Sequence, residues 1–507
     1  MKRRSSQVCK RRPSLQFNIY NFMKGMSNMH FGFNTAVLSL LASQRSLYIV
    51  NHNISNMNTE GYSRQQGAQR ATSPYNLPGI GFLGTGTEIY DIYRVRDSYV
   101  DFKYWNENAP KGEWVIKKDI LTELEKLFGE PSKSSFRQYL DDFYTALDNM
   151  SKKPADSSYR EPVRENALAL TKHINETASR LHELREETVV SIDTKVRKIN
   201  SIAVQIASLN RQIYFNELDG RKANDLRDKR DLLIDELSQI VNVRVDESKD
   251  GKLRVNISGV SIVDHTEINY ISMDMDYEEN ISIRWSNGSL VNLRSGELKG
   301  LLDLYNGDGK DNSYRGIPYY QKKLNDFAKG FAEAFNRQHE KGYKLGGGQG
   351  GDFFEFDPLN PAATITLSDL IMEDLANIAA AGSEPGSAED NRNLLQLIAL
   401  RDSGEFFDGI VDMDGNSLPK GTPDDFLKSI ISNLAVDSMQ GKRMYDTQNL
   451  ILKNIESKRN SISGVSYDEE MADMVRFQHT YVASARMIST LDAIMDVTIN
   501  RLGLVGR

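Results

Sequence analysis

Apolar side chains recur every three or four residues at both ends of the chain. Near the N-terminus this period forms the N-terminal seam, which consists of Phe33, Val37, Leu40, Leu47 and Ile54. Near the C-terminus it forms the C-terminal seam, which consists of Met474, Phe477, Tyr481, Ile488, Leu491, Met495 and Leu502. The spacing predicts two amphipathic α-helices, the second from about Tyr467 to Leu502. Because each apolar stripe needs a partner, we expect the two helices to pair as a coiled coil and to supply an assembly interface.

The middle of the chain is also helical in its pattern. Isoleucines recur every seven residues from Ile192 to Ile213, which predicts a long bundle helix with a break near Gly220. Helix is predicted again over residues 296–338 and 425–458, and a turn at Gly464 precedes the terminal helix.

Two stretches between these helices follow other patterns. Apolar and polar residues alternate between Val241 and Arg294, and Asp250-Gly251 falls between two of the alternating runs. This pattern predicts β-strands joined by a hairpin. A glycine-rich loop at 346–351 then opens a region of mixed pattern that ends near Pro423.

The chain is therefore expected to be mainly α with β insertions, elongated and multidomain, with paired terminal helices, a helical bundle and outer β-rich domains. The pattern divides it into eight segments. They are a basic extension (1–25), an N-terminal helix with its motif (26–75), three parts of one helical domain (76–240, 296–345 and 425–463), a β-hairpin insertion (241–295), an outer mixed or β domain (346–424) and a C-terminal helix (464–507).

The extension 1–25 differs from the rest of the chain in charge. It holds seven lysines and arginines, no acidic residue and the only cysteine, Cys9. It is a disordered basic tail, upstream sequence translated from a mis-set start, or an arm that binds nucleic acid or membrane. Because the heptad pattern begins after it, we expect the native protein to start at Met26 or Met29. Mass spectrometry of the N-terminal peptide of the native protein would test this expectation.

Composition excludes several classes of function. The formal net charge is -7, whereas binding of nucleic acid along the whole chain would need a basic surface. No run approaches the roughly 18 consecutive apolar residues of a membrane span. A single cysteine cannot form an internal disulfide or a cysteine-based zinc site.

Two short patterns partly match known chemical sites. Gly79-Ile-Gly-Phe-Leu-Gly84 matches GxGxxG, but a proline-containing stretch precedes it and a strand-like alternation follows it, so a glycine-rich turn is favoured over a nucleotide site. Asp412-Met-Asp-Gly415 lacks two carboxylates of a calcium loop. None of the seven histidines has the spacing of a metal-binding pair. The sequence therefore predicts no catalysis, no cofactor and no metal.

Longer motifs resemble a known family. Residues 52–65, His-Asn-Ile-Ser-Asn-Met-Asn-Thr-Glu-Gly-Tyr-Ser-Arg-Gln, resemble the NNIANxNTxGYSRQ signature of bacterial flagellar axial proteins, and the GYSRQ ending is typical of the hook-associated protein 1 family. Further blocks match in order at 84–97, 223–237, 295–303, 335–343 and 463–471. The motif residues are Asn53, Asn56, Asn58, Gly61, Tyr62, Ser63, Arg64 and Gln65, with Gly464, Asp468, Glu469 and Glu470 near the C-terminus. The resemblance covers about residues 26–507.

The resemblance implies a structural protein that is not an enzyme. It implies export through the flagellar type III apparatus and assembly as an extracellular ring between hook and filament, with the terminal helices innermost. The implied partners are further copies, the hook protein, the next hook-associated protein and an export chaperone at the C-terminal helix, without nucleic acid or membrane. The alternatives are a hook or filament subunit, or a nucleotide-binding enzyme that uses Gly79–Gly84.

This sequence departs from the family pattern at three places. Residues 1–25 have no counterpart, His52 replaces the usual first Asn of the signature, and the 346–423 insertion is short. The first departure concerns the start of the chain, and the third concerns the size of the outer domain.

Overall fold

A computed structural model describes residues 14–77, 81–128, 136–248, 251–310, 313–384 and 387–498. The helices are α1 Ser14–Asn56, α2 Ser98–Leu127, α3 Phe136–Lys152, α4 Ser157–Asn216, α5 Asn224–Ile240, α6 Glu297–Asn306, α7 Ile317–His339, α8 Pro361–Thr364, α9 Asp369–Glu373, α10 Arg392–Ala399, α11 Pro423–Ser463 and α12 Tyr467–Asp496. The strands are β1 Gln65–Ala71, β2 Tyr75–Leu77, β3 Gly81–Leu83, β4 Thr87–Arg94, β5 Val243–Glu247, β6 Leu253–Ile257, β7 Val260–Asp264, β8 Glu267–Ile268, β9 Ile271–Met275, β10 Ile281–Trp285, β11 Phe354–Glu355 and β12 Thr366–Leu367.

The chain forms two compact units. Unit 1 consists of the described residues up to Asp101, Ser208–Leu233, and the described residues from Ile455 onward. Unit 2 consists of Phe102–Ala207 and Ile234–Asn454. Each unit is therefore built from segments that are far apart in sequence.

Unit 1 combines the two terminal helices with a β-ribbon. Strands β1 and β4 pair antiparallel, with a bulge between Ala68 and Gln69. The ribbon packs on α1 at Gly67, where a Cβ atom would lie 3.1 Å from Ile49 Cδ1 and 3.2 Å from Ile89 Cδ1. A side chain at Gly67 would force these groups apart, which explains a glycine inside a strand.

Strands β2 and β3 pair at the glycine-rich loop, where the sequence predicted only a turn. A strand, Tyr75–Leu77, does precede the glycine-rich loop, although its prolines argued against one. Strand β3 lies within the Gly79–Gly84 motif and strand β4 follows it, so no helix begins after the motif to bind a pyrophosphate at its N-terminus. Residues 78–80 of the loop lie outside the described residues.

Aromatic rings fill the core of unit 2. Phe143 from α3, Phe335 from α7, and Phe353 and Phe354 are all buried. The ring centroids of Phe143 and Phe335 are 5.5 Å apart, and those of Phe353 and Phe354 are 4.8 Å apart. Tilted and edge-to-face contacts at these distances stabilise a core beyond the area they bury.

The β-rich part of unit 2 lies between residues 243 and 285, as the alternating pattern predicted. Strands β5 to β8 form a four-stranded antiparallel sheet, and β9 pairs with β10. On β6 the alternate side chains of Leu253, Val255 and Ile257 are buried. The period of two therefore follows from one buried face of the sheet.

Residues 346–424 share the core of unit 2. Ile365, Leu394 and Phe407 belong to the same buried cluster as α3, α4 and α7, and strands β11 and β12 have two residues each. The structure therefore does not separate this region as the outer domain expected from the sequence. Its apolar residues are irregularly spaced, so their pattern gave no sign that they pack inward.

The stretch predicted as helix over 296–338 is helical but interrupted, because two helices, α6 and α7, occupy it. Between them, a Cβ on Gly307 would lie 2.3 Å from the Asp303 carbonyl oxygen. A Cβ on Gly316 would lie 2.2 Å from the Leu304 carbonyl oxygen. Only glycine permits backbone contacts as close as these. The apolar pattern of the flanking helices continues across the stretch, so it did not predict the turn.

The N-terminal helix is longer than expected. Helix α1 begins at Ser14, so the described residues 14–25 are helical, whereas one interpretation of the extension was a disordered tail. Cys9 lies outside the described residues. The break near Gly220 is confirmed, since α4 ends at Asn216 and Gly220 has a φ of +85°.

His339 is a buried, hydrogen-bonded histidine at the end of α7. Its Nδ1 lies 2.6 Å from the Gly351 carbonyl oxygen, and its Nε2 accepts a hydrogen bond from the Ala379 amide at 2.9 Å. These contacts require a neutral ring with its proton on Nδ1. Burial lowers the pKa of His339 from 6.5 to about 4, against the opposing effect of the bond to Gly351.

We expect His339 to make unit 2 less stable in mild acid. Because the unfolded chain binds the proton more tightly, stability is full above pH 6.5 and falls as the pH approaches 4. The loss amounts to about 3 kcal/mol at most, from 1.36 kcal/mol per pKa unit. Urea unfolding at pH 7.5 and 5.0 measures it. His339→Gln offers a donor and an acceptor without titrating, so an unchanged pH dependence in that variant would contradict the assignment.

Candidate functional site: the polar junction of unit 1

Helices α1 and α12 pack antiparallel in unit 1. A Cβ on Gly32 would lie 3.7 Å from Leu491 Cδ1, and Ser484 Oγ donates a hydrogen bond to Ser39 Oγ at 3.0 Å. Asn53 Nδ2 donates to Glu470 Oε2 at 3.1 Å. Residues early in α1 thus contact residues late in α12, as in an antiparallel pair. On each helix the contacting residues are spaced by multiples of seven. Small side chains on α1 allow this close approach.

The face of α1 that contacts α12 is not the N-terminal seam. Ser39 and Asn53 each precede a seam residue, Leu40 and Ile54, by one position, which is a rotation of about 100° on an α-helix. The seam residues Phe33, Val37, Leu40, Leu47 and Ile54 are all half-buried. The heptad pattern identifies the most apolar stripe of α1. The stripe that contacts α12 is a neighbouring one, whose small side chains permit close packing. The N-terminal seam therefore forms a partly uncovered flank beside the helix pair.

The C-terminal seam agrees better with the packing of α12. Its described members Met474, Phe477, Tyr481, Ile488, Leu491 and Met495 are all half-buried. They share a face with Glu470 and Ser484, which are buried and contact α1. Leu502 lies outside the described residues.

Asn53 is the centre of a network that we call the polar junction. It is 1% exposed, and its amide is fully hydrogen-bonded. Nδ2 donates to the Gln65 carbonyl oxygen at 3.0 Å and to Glu470. Oδ1 accepts from the Gln65 amide at 3.0 Å and from the Tyr62 hydroxyl at 2.8 Å. One side chain thus ties the end of α1 to strand β1 and to α12.

Arg64 and Glu470 form an ion pair within the junction. Arg64 Nε donates to Glu470 Oε1 at 2.7 Å, and Nη1 donates to Glu469 Oε2 at 2.8 Å. The Glu470 side chain is 2% exposed, whereas that of Glu469 is 64% exposed. The Arg64 amide also donates to the Ser463 carbonyl oxygen at 2.8 Å. The motif segment is therefore fixed to both α11 and α12.

The turn before Arg64 depends on glycine. Gly61 has a φ of +75°, and a Cβ there would lie 3.2 Å from Leu232 Cβ. Next to it, Ser63 donates from its amide and its hydroxyl to the Asp228 carboxylate, at 3.1 and 2.7 Å. Burial, followed by the charges of Asp225, Asp228 and Glu470, raises the pKa of Tyr62, so its hydroxyl stays protonated and donates to Asn53.

Gln65 and His52 reach helix α5. Gln65 Nε2 donates to Asp225 Oδ1 at 2.7 Å, and His52 Nε2 lies 3.3 Å from the same oxygen. Asn56 Nδ2 lies 2.9 Å from His52 Nδ1 and donates to the His52 carbonyl oxygen at 3.0 Å. His52, where the sequence departs from the family signature, therefore contacts both α5 and the motif.

Two arginines and three aspartates extend the junction. Arg94 Nη1 donates to Asp228 at 2.7 Å and to Asp231 at 2.8 Å. Arg96 bonds Asp231 at 3.0 Å and Asp101 at 2.7 and 3.0 Å. Burial acts to raise the pKa of Asp231, but Arg96, Arg94 and Arg230 outweigh it and keep the pKa below its usual value. The carboxylate therefore stays charged inside the unit.

The aspartates of α5 and the arginines 94 and 96 were not among the predicted site residues. Asp225, Asp228 and Asp231 are spaced by three, so they share one side of a helix. Arg94 and Arg96 are spaced by two, so they share one face of an extended chain. These complementary spacings are the signal that could have identified the contact.

Three motif residues lie outside the network. Asn58 and Asp468 are exposed. Gly464 ends α11, since a Cβ there would lie 2.3 Å from the Asn460 carbonyl oxygen. Gly464 therefore serves the turn between α11 and α12 rather than the junction itself.

The side chains of the polar junction bind one another and so hold distant segments of the chain together. Its carboxylates accept from arginine, amide and hydroxyl donors, and the Ser63 hydroxyl donates to the Asp228 carboxylate. Among the described residues, no group of three or more His, Cys, Asp or Glu side chains is placed to hold a metal ion. The site joins three distant parts of the sequence.

Comparison with known proteins agrees with the resemblance in the motif. Residues 121–354 match the model of the flagellar hook-associated protein FlgK helical domain. The chain is similar to flagellar hook-associated protein 1 of Bacillus subtilis (strain 168), with 29% identity over 520 residues that cover 95% of this chain and 100% of the relative. The chain is therefore similar to the hook-associated protein 1 family over most of its length.

Other comparisons extend the match to the C-terminus and to the fold. Residues 456–502 match the model of the flagellar basal body rod FlgEFG protein C-terminal region. Hook-associated protein 1 of Escherichia coli (strain K12) is 24% identical over 562 residues, covering 92% of this chain and 99% of the relative. The flagellar hook junction protein FlgK from Burkholderia pseudomallei has a similar fold, with a TM-score of 0.58, 14% identity, and coverage of 71% of this chain and 100% of that one. None of the described helices is long and apolar enough to cross a membrane.

Proposed function

We propose that the chain is a structural subunit of the bacterial flagellum that forms the junction between hook and filament and allows the filament to assemble. Similarity to hook-associated protein 1 over most of the chain supports this function. The supporting observation from the structure is that helix α12, which packs on α1 along its C-terminal seam, also exposes several large apolar side chains on its other side.

The second face of α12 consists of Val475, Val482, Met487, Ile494 and Val497, which are 39–56% exposed. At 100° per residue these side chains spread over about 140° on the side of α12 away from the C-terminal seam. A helix that is apolar on both sides is normally buried on both sides. We call these residues the outer face of α12 and propose that another copy of the chain covers it in the flagellum.

The N-terminal seam supplies a complementary surface. Its half-buried residues adjoin Leu41 and Tyr48 on α1, which are 42% and 71% exposed. About half of the exposed large apolar side chains of the described residues belong to unit 1, which holds about a third of the chain. Two different apolar surfaces on one subunit suit the head-to-tail contacts that close a ring.

The further partners follow from this position. The hook protein and the next hook-associated protein would contact the two sides of the ring, and an export chaperone would cover the C-terminal helix before assembly. The subunit would reach the outside of the cell through the flagellar type III apparatus. Since the polar junction binds only its own groups, a non-enzymatic role accords with its chemistry.

Deletion of the gene in its source organism tests the function. We expect hooks without filaments, flagellin in the medium and no swimming, all restored by the intact gene. Electron microscopy of the hooks and immunoblots of the medium provide the measurements. Normal filaments in the deletion strain would refute the proposal, and loss of the hooks themselves would favour a hook subunit.

A further inference from the structure

A cleft of about 550 Å³ lies in unit 2 between α2 and the sheet β5–β8. Small-molecule sites typically have volumes of about 300–1,000 Å³ and combine apolar walls with a few polar groups. The cleft takes no part in the junction or in the outer face of α12. Its aromatic wall comes from α2, and its polar wall comes from β5, β6 and the segment that follows β10.

The aromatic wall consists of Phe102 and Trp105. Phe102 is 44% exposed, which is high for a phenylalanine side chain beside a cleft. Trp105 is half-buried, and its Nε1 donates to Asp235 Oδ1 at 2.7 Å. This bond fixes the orientation of the indole, so a ligand that stacks on it meets a preorganised surface.

The polar wall carries hydrogen-bond donors that the protein does not use. Within the described residues, the guanidinium of Arg294 and the side-chain amide of Asn106 have no hydrogen-bond or ion-pair partner. The Arg244 side chain is 74% exposed and has one distant contact, 3.6 Å from Nε to Asp246 Oδ2. Arg244 lies directly opposite Asn256 of the neighbouring strand. Two guanidinium groups and three asparagine amides therefore line the same cleft as the aromatic rings.

We infer that this cleft binds an acidic saccharide. The C–H faces of a sugar ring pack on aromatic rings, and amide groups bind its hydroxyls. A guanidinium group binds a carboxylate through two parallel hydrogen bonds, a geometry that lysine lacks. Two arginines against the single Asp246 favour a ligand with at least one negative charge, such as a uronic acid unit.

A single-stranded nucleic acid would use similar groups, since bases stack on aromatic rings and phosphates bind arginine. Such ligands follow a basic groove over several nucleotides, whereas this chain has a net charge of -7 and the cleft offers two arginines. The saccharide is therefore the better match, and an oligonucleotide serves as the competing ligand in the test.

Isothermal titration of the full-length protein with tetragalacturonate tests the inference, with maltotetraose and an oligothymidylate as comparisons. We expect tetragalacturonate to bind at least about tenfold more tightly than either comparison ligand, since only it offers both carboxylates and sugar rings. Binding should also change the fluorescence of Trp105, one of three tryptophans in the chain.

Matched variants locate the site. Arg244→Gln with Arg294→Gln should weaken tetragalacturonate binding by about tenfold or more, and Phe102→Ala should weaken both saccharides. Arg254→Gln is the control, because Arg254 is similarly exposed on the same sheet but pairs with Asp264 at 2.9 Å. No binding of tetragalacturonate at about 10 mM, tighter binding of the oligothymidylate, or equal losses in the control would each overturn the inference.

Discussion

Replacing Val482 and Ile494 together with aspartate is expected to abolish filament assembly while leaving the monomer folded. Both residues lie on the outer face of α12 and are 39% and 45% exposed, so the change should alter the free energy of unfolding by less than about 1 kcal/mol. In the ring, each aspartate would be buried without a partner, at a cost of several kcal/mol per subunit contact. Circular dichroism of the monomer and electron microscopy of the flagella measure the two effects.

The matched control for this variant is Val190→Asp on α4, where the valine is 66% exposed in unit 2. It introduces one exposed aspartate, half the charge of the double variant, and should leave the filaments normal. Leu491→Asp provides a contrast, because Leu491 faces α1 and a charge there should destabilise the monomer itself. Normal filaments on the Val482/Ile494 variant would show that the outer face of α12 is not an assembly surface.

Replacing Arg64 with methionine is expected to destabilise unit 1 by about 3–5 kcal/mol, because it leaves the buried Glu470 carboxylate without its cation. The Asn53 amide, 3.1 Å from Oε2, would be its remaining partner in the junction. Urea unfolding measures the loss. Limited proteolysis between α1 and β1 should increase in parallel, because the same pair fixes the motif segment to α12.

Arg476→Met is the matched control, because it also removes an arginine from an ion pair but at an exposed position. Arg476 pairs with Asp473 on the surface of α12, where its side chain is 65% exposed, so its removal should cost less than about 1 kcal/mol. Adding Glu470→Leu to Arg64→Met should restore part of the stability, since the uncompensated charge is then gone. Equal stabilities of Arg64→Met and Arg476→Met would mean that the buried pair contributes little.

The main helices and the motif could be predicted from the sequence alone. Period seven located the terminal helices and α4, and period two located the strands between 243 and 285, because one buried face leaves a regular pattern. The signature at 52–65 indicated the similarity to the hook-associated protein 1 family, and its residues Asn53, Arg64 and Gln65 are members of the junction. Regular burial and short contiguous motifs are local properties, so the sequence determined them.

The tertiary structure decided how these parts meet. It placed Ser39 and Asn53, rather than the neighbouring apolar seam, against α12, because close packing of helices depends on small side chains as well as on apolar ones. It joined Asn53 to Glu470, and Ser63 to Asp228, across long intervals of sequence. It also separated α6 from α7 within residues 296–338, at Gly307 and Gly316. The close backbone contacts of these glycines are not visible in the apolar pattern of the sequence. Each of these outcomes depends on which surfaces face each other, and that is a property of the folded chain alone.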